Sequence, residues 1–437
     1  MTDRGSPTVL PAADPVPPSA AGVTSYLRIL RHGPAARPFA AAVIARLPIS
    51  MAPLGTLLLV QHVRGSYGVA GLVTGAFALG TAAGTPIWGR LMDRFGQPKV
   101  VIPTSLASAG FLVALAISAA LGGADGLLIA LAAATGITFP AIGPAMRAAW
   151  RVALKDEGLR RAGYALDAVA VESIFIGGPL LLSLLLAVTP PVVPLLVTAG
   201  LLAGGGVAYS LTAAARTWRP APHQPPTDGR PVGRFTASAV AAAGIPAVLG
   251  VTAMMSVGFG HLDTSIAATA REVLGDQARL GLLFAAIAGG SATGGLWYGA
   301  HRWAPGHEHR RLPISLGLFT LGLVPLSILL GAGDPHLWIL LPLLFLAGLS
   351  IAPSLIMLQN LIDALAPTHR VNEAQAWLSA ASTTGAATGT AIAGIVIDAA
   401  GVPWGFAGAA AAVAVTCLIA LASQRTWRSF VAPTTGP

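Results

Sequence analysis

Long apolar runs separated by short polar punctuation dominate the chain. Twelve of them reach about 20 residues, the length of helix that crosses a ~30 Å hydrocarbon core. They fall near residues 38–60, 69–88, 100–121, 126–147, 163–187, 191–213, 238–261, 278–299, 312–331, 337–359, 374–397 and 402–423. The pattern predicts an all-α integral membrane protein with twelve transmembrane helices. The longest polar connection, Arg216–Arg234, follows the sixth run. Two six-helix bundles are therefore expected, over 38–213 and 238–423, with a linker over 214–237 and a polar tail over 424–437. At the other end, residues 1–22 hold five prolines and no apolar run, the composition of a disordered tail rather than a signal peptide. Ser25–His32 then reads as a short amphipathic helix lying at the membrane interface, so that 1–37 precede the first bundle.

Composition sharpens this picture. Hydrophobic residues make up 54% of the chain and charged residues 10%, with mean hydropathy +0.72, far from the roughly 25% charged residues of a soluble domain. The net charge of +9 is scattered in short clusters between apolar runs rather than gathered on one polar face, which excludes a nucleic-acid partner. With the N-terminus cytoplasmic, 22 of the 26 Lys and Arg residues fall on the cytoplasmic side. Arg64, Arg271 and Arg279 fall outside, and Arg46 within a run. The positive-inside rule thus favours both termini in the cytoplasm. The single cysteine, Cys417, permits neither an intramolecular disulfide nor a cysteine-based metal site.

The most specific local signal is Gly89-Arg-Leu-Met-Asp-Arg-Phe-Gly-Gln-Pro-Lys99, a basic turn between the second and third runs. Arg90, Arg94 and Lys99 form a cationic cluster around Asp93, and Gly89 and Gly96 allow a tight turn. The stretch resembles the loop between spans 2 and 3 of the major facilitator superfamily, Gly-X-Leu-Ala-Asp-Arg-X-Gly-Arg-Lys. Gly89, Leu91, Asp93, Arg94, Gly96 and Lys99 match it, whereas Gln97 and Pro98 depart from it. The resemblance implies two pseudo-symmetric bundles that rock about a central site, with this loop latching the cytoplasmic side in one state. It also implies a functional monomer in the lipid bilayer. Arg outnumbers Lys 24 to 2 and Ala and Gly abound, the bias of a GC-rich bacterial coding sequence. The bacterial cell membrane is the expected location.

The two halves repeat faintly. Gly136-Ile-Thr-Phe-Pro lies against Gly348-Leu-Ser-Ile-Ala-Pro, and Tyr164 through Gly177 against Ala376 through Gly389, at an offset of 212 residues. Trp88-Gly89-Arg90 similarly answers Trp297-Tyr298-Gly299. Duplicated halves with a site between them are a transporter architecture. Gly71, Gly75, Gly80 and Gly84 in span 2, and Gly385 and Gly389 in span 11, make Gly-xxx-Gly pairs that let backbones approach closely. In the family these two spans also slide past each other, so the glycines fit a rocking interface.

Charges inside spans cost roughly 2.5–3.5 kcal/mol each on insertion scales and point to function. Span 5 carries two, Asp167 and Glu172, about 140° apart around the helix. Asp167 lies near the cytoplasmic end, within reach of Arg147, Arg151 or the cluster around Arg90. Glu172 and Arg46 sit at matching depths, about 13 and 12 Å, and are expected either to pair or to share the central cavity. Burial favours a protonated carboxylate and a nearby cation an ionised one, so Glu172 can take and release a coupling proton. Arg46 can equally bind an anionic group of a substrate. Pro48 and Pro53 in span 1 and Pro140 and Pro144 in span 4 interrupt helices where carbonyls can face a cavity.

Gly177-Gly178-Pro179 resembles, in part, the Gly-Pro motif of the drug/proton antiporter branch. His261 and Asp263 are expected to close span 7 at the outer face, and Gln359, Asn360 and Asp363 to close span 10 inside. No phosphate-binding loop, metalloprotease motif or nucleophile elbow occurs, so neither ATP-driven transport nor an enzyme is expected. The proton gradient takes the place of a cofactor. The resemblance implies proton-coupled export of a small amphipathic organic molecule, beside import of a metabolite by symport or a sensor without coupled flux.

Overall fold

The structure, a computed structural model, describes residues 23–31, 33–154, 156–217, 244–301, 303, 307–333, 336–366 and 371–431. Among these, twelve helical segments are long and apolar enough to cross a membrane. They are Gly33–Arg64, Tyr67–Phe95, Gln97–Ala120, Asp125–Trp150, Ala162–Val188 and Val192–Ser210 in the first half. The second half holds Ile245–Val273, Leu280–Gly299, Glu308–Gly331, Leu337–Leu365, Trp377–Ala400 and Val402–Arg428. They are spans 1 to 12 below. The tail over 1–22 and residues 218–243, most of the expected linker, lie outside the described residues.

Of the prolines expected to interrupt spans 1 and 4, Pro48 and Pro140 do so, whereas Pro53 and Pro144 lie within continuous helices. Span 1 divides into Gly33–Arg46 and Pro48–Arg64 at Leu47, because Pro48 has no N–H to continue the ladder. Span 4 divides into Asp125–Ile137 and Ile142–Ala153 across Phe139-Pro140. Span 10 divides at Leu349–Ser350, the position equivalent to the break in span 4.

The repeat is physical as well as sequential. A Cβ on Gly80, Gly84 or Gly136 would fall on the Ala133, Ile137 or Phe77 carbonyl, closing spans 2 and 4 backbone to backbone. Spans 8 and 10 reproduce the three contacts with Gly290 on Phe345, Gly294 on Leu349 and Gly348 on Ile287. Close helix approach through missing side chains is how a bilayer protein packs without a hydrophobic driving force.

Three expectations shift. Span 7 starts at Ile245, after Gly244 at φ +92°, and runs to Val273 through a π-helical turn at Thr269–Val273. His261 and Asp263 therefore lie well inside the span, not at its outer end. The helix of span 12 continues to Val431, into the expected tail. There Trp427 is fully buried and its indole N–H donates to the Gly244 carbonyl at 3.1 Å, pinning the start of span 7. The short amphipathic helix is present as Val23–Arg31, with Ile29 buried and Leu27, Arg28, Leu30 and Arg31 exposed.

The halves meet at one end. Spans 2 and 11 touch from Gly68 against Asp398 to Gly75 against Ala387. Span 5 meets span 8 where the Ser183 hydroxyl donates to the Ala278 carbonyl and Leu180 packs on Gly281. Span 1 meets span 7 where Arg271 donates to the Gln61 side-chain carbonyl. All these contacts lie on the side away from the Gly89–Lys99 turn, which marks the loop end of the molecule.

Candidate functional site

At the loop end, span 2 stays helical through Phe95, and Gly96, at φ +89°, makes the turn in a single residue. Span 3 resumes at Gln97 with Pro98 in its first turn. Arg90, Asp93, Arg94 and Lys99 are exposed, and the Arg94 guanidinium lies 5.1 Å from the Phe95 ring centroid. Gly89 has open space where a Cβ would stand. Gln97, the departure from the family loop, is buried. Its amide donates to the Ala145 carbonyl at 3.1 Å and accepts from the Tyr209 hydroxyl at 2.9 Å, tying span 3 to spans 4 and 6. A neutral side chain suits that position, because a buried unpaired charge is costly.

Arg46 and Asp167 come together. The Arg46 guanidinium donates to Asp167 Oδ1 at 2.8 Å and its Nε to the Ala42 carbonyl at 3.1 Å, with both side chains buried. Among the described residues the ion-pair partner of Arg46 is Asp167, and Asp167 pairs with neither Arg147 nor Arg90, both exposed. Span 5 packs on span 1 just beyond the break, where the Ser50 hydroxyl donates to the Ile174 carbonyl, and this contact sets the Asp167 carboxylate against Arg46. The backbone of Glu172 is helical one and a half turns further on, and its side chain, like that of Arg151, lies outside the described residues.

The glycines divide their labour differently from expectation. Gly71 and Gly75 do face span 11, but Gly80 and Gly84 face span 4. Gly385 and Gly389 pack span 11 onto Ala253 and Val257 of span 7, within the second half. The glycine of span 11 that meets span 2 is Gly394, against the Tyr67 carbonyl, in line with the Thr390 and Ala387 carbonyls that face Gly71 and Gly75. Gly178 packs on Ser50, whose hydroxyl donates to the Ile174 carbonyl at 3.0 Å, so Gly178-Pro179 seats span 5 against span 1. Gly177 has open space around it.

Three further features emerge from the packing. Asp398 at the end of span 11 accepts from the Tyr67 and Gly68 N–H groups at 2.8 Å each and from the Ser66 hydroxyl at 2.6 Å. Arg271 joins span 1 through Gln61. In the second half, a cavity of about 350 Å³ is lined by Thr252, Gln359, Gln375, Ser379, Ser382 and Thr383 with three leucines. Above it the Ser256 and Ser382 hydroxyls stand 3.0 Å apart, and at its mouth Gln375 donates to Asp363 at 2.7 Å. Hydroxyls and amides on spans 7, 10 and 11 are the signal for this pocket in the sequence, diluted there by the many serines and threonines elsewhere.

Two repeated six-helix halves that meet at one end are the architecture of a membrane transporter. The family model described as Major Facilitator Superfamily matches residues 39–370 and 248–434, and the chain belongs to that family. It is a transporter, not an enzyme. Its fold is similar to that of a bacterial homologue of the iron transporter ferroportin in an inward-facing state. That match has TM-score 0.66 and 14% identity, covering 90% of this chain and 99% of the other. A bacterial homologue of the human lysosomal transporter Spinster, inward-facing and occupied, matches with TM-score 0.63 and 13% identity, over 95% and 98% of the chains. An auto-inhibited peptide transporter of the POT family matches with TM-score 0.64 and 14% identity, over 92% and 98%. Curated proteins give no significant sequence match.

Proposed function

We propose that the chain is a proton-coupled exporter of small amphipathic organic molecules, working by alternating access in the bacterial cell membrane. The single observation that carries this is the asymmetry between the two ends. The halves are locked together by Asp398, Arg271 and Ser183 at one end, while the basic turn at the other end is exposed. The positive-inside rule favours a cytoplasmic place for that basic turn and for both termini, and on this reading the arrangement is open to the cytoplasm. A substrate enters there, between the Thr252–Thr383 pocket and the first half. Export follows when the loop end closes and the outer contacts part. Glu172 carries the coupling proton, while the Arg46–Asp167 pair holds spans 1 and 5 in register beside it. The partial Gly-Pro motif at Gly178-Pro179 supports export rather than import.

The test is substrate-dependent proton movement in proteoliposomes holding a pH dye, comparing wild type with Glu172→Gln. Flux in wild type that is lost in the variant supports proton coupling through Glu172. Substrate flux indifferent to the pH gradient and to the substitution overturns it.

A further inference from the structure

Span 7 is enclosed almost everywhere. It packs on span 11 through Val257 and Gly260 and on span 12 through Gly258 and His261, whose ring lies against Gly408. From Ala247 to Arg271 a single residue has an exposed side chain, and it is Asp263. At about 100° per residue, Thr252, Ser256 and Asp263 lie within about 40° of one another around the helix. Thr252 lines the pocket and Ser256 meets Ser382 above it, so Asp263 lies on the face of span 7 that carries the pocket. His261 points to nearly the opposite side. Asp263 lies ten residues short of Val273, about 15 Å from the far end of the span and about 16 Å beyond Thr252.

Among the described residues Asp263 has no hydrogen-bond or ion-pair partner. The cation of its own span, Arg271, lies eight residues further on, about 12 Å along the helix, and is bonded to Gln61 of span 1. When the loop end closes, this carboxylate must leave water, and an ionised group buried without a counter-charge is strongly penalised. A cation brought in with the substrate removes that penalty. The space below it suits the rest of such a molecule, with three leucines among hydroxyls and amides.

We propose that Asp263 is a cation-binding site of the central space, and that the molecules it takes are amphipathic organic monocations. This rests on the alternating-access function above and adds the substrate class. Asp263 faces the charged head while the apolar body lies toward the Thr252–Thr383 pocket, and closure of the loop end is favoured only with the head in place.

Binding at equilibrium, without any gradient, tests this independently of proton coupling. Full-length protein in nanodiscs is titrated with radiolabelled tetraphenylphosphonium in wild type, Asp263→Asn and Asp263→Glu. The expected result is saturable binding to wild type, retained in Asp263→Glu and weakened by about tenfold or more in Asp263→Asn. Absence of binding to wild type, or equal affinity in Asp263→Asn, overturns the proposal. Should Asp263→Asn fail to elute as a monodisperse species, carbodiimide modification of wild type mapped by mass spectrometry decides. Labelling of Asp263 that tetraphenylphosphonium blocks supports the site, and labelling it leaves unchanged overturns it.

Discussion

Asp398 and Gly68 are 330 residues apart in the chain, yet the Gly68 N–H donates to Asp398 Oδ2 at 2.8 Å. With the Tyr67 N–H and the Ser66 hydroxyl on the same carboxylate, the end of span 11 caps the start of span 2 across the two halves. A carboxylate at a helix N-terminus satisfies unpaired N–H groups and complements the helix dipole. These bonds exist only while the far end is closed. Hydrogen bonds to a charged group contribute about 1.5–3 kcal/mol each at most, so losing the set moves the balance between states substantially.

Asp398→Ala is therefore expected to open the far end. Spin labels at Leu121 and Trp338, exposed at that end on different halves, should report a longer distance by double electron–electron resonance. Asp398→Asn, which keeps an acceptor but loses the charge, should shift the distribution less. An unchanged distribution in Asp398→Ala would show that the cap is incidental.

The glycines separate fold from motion. Gly84 and Gly294 hold equivalent places inside the two halves, where a Cβ would collide with the Ile137 and Leu349 carbonyls. Gly84→Ala and Gly294→Ala should each lower thermal stability in detergent, by roughly 1–3 kcal/mol as overpacking does. Gly89→Ala meets open space and should melt like wild type. Any loss of turnover in Gly89→Ala then belongs to the transport cycle, whereas equal melting of all three variants would mean the backbone contacts count for little.

Gly394→Val differs again, because its neighbour, Tyr67, belongs to the other half. The substitution is expected to leave each half intact and to hold the far end apart. Spin labels at Leu121 and Trp338 read this as well. A lowered melting temperature with no change in distance would place Gly394 among the purely structural glycines.

Much of this architecture was legible because run length and helix breakers are local properties. Twelve spans, the breaks at Pro48 and Pro140 and the duplicated Gly136 and Gly348 follow from spacing alone. Pairings across helices do not, because they depend on rotation and depth. Depth along the helices leaves Arg46 free to pair with Glu172 or to share a cavity with it, and only the packing of span 1 on span 5 shows that Asp167 takes the Arg46 guanidinium. In the sequence Asp263 follows a long apolar run and so reads as a span end. The helix instead continues through Leu262–Ala270, whose small and hydroxyl-bearing side chains satisfy their own carbonyls, as Thr264, Ser265 and Thr269 do four residues back. Asp398 resembled any polar residue closing a span, and only the fold places it on span 2.

Gln97 gives a direct check on why this chain departs from its family's basic loop. Its side chain is buried between the Tyr209 hydroxyl and the Ala145 carbonyl. Gln97→Arg, which restores the family's residue, should destabilise the protein, since the guanidinium finds an acceptor but also meets a hydroxyl placed to donate. Thermal melting in detergent should fall, and Gln97→Glu should fall too because the Ala145 carbonyl then loses its donor. Stability equal to wild type in Gln97→Arg would mean the side chain swings out to water with Arg94 and Lys99.

The Arg46–Asp167 pair separates register from transport. Removing one member of a buried ion pair leaves an uncompensated charge and costs about 3–5 kcal/mol, whereas replacing both by apolar groups of similar size is often nearly neutral. Arg46→Met and Asp167→Leu should each reduce the yield of monodisperse protein and its melting temperature. The double variant should recover most of both. If the double variant also retains substrate-dependent proton movement, the pair serves to seat span 1 on span 5 and Glu172 acts without it. If it folds like wild type but moves no protons, the pair acts in the transport cycle as well as in packing, and Glu172 does not carry coupling alone.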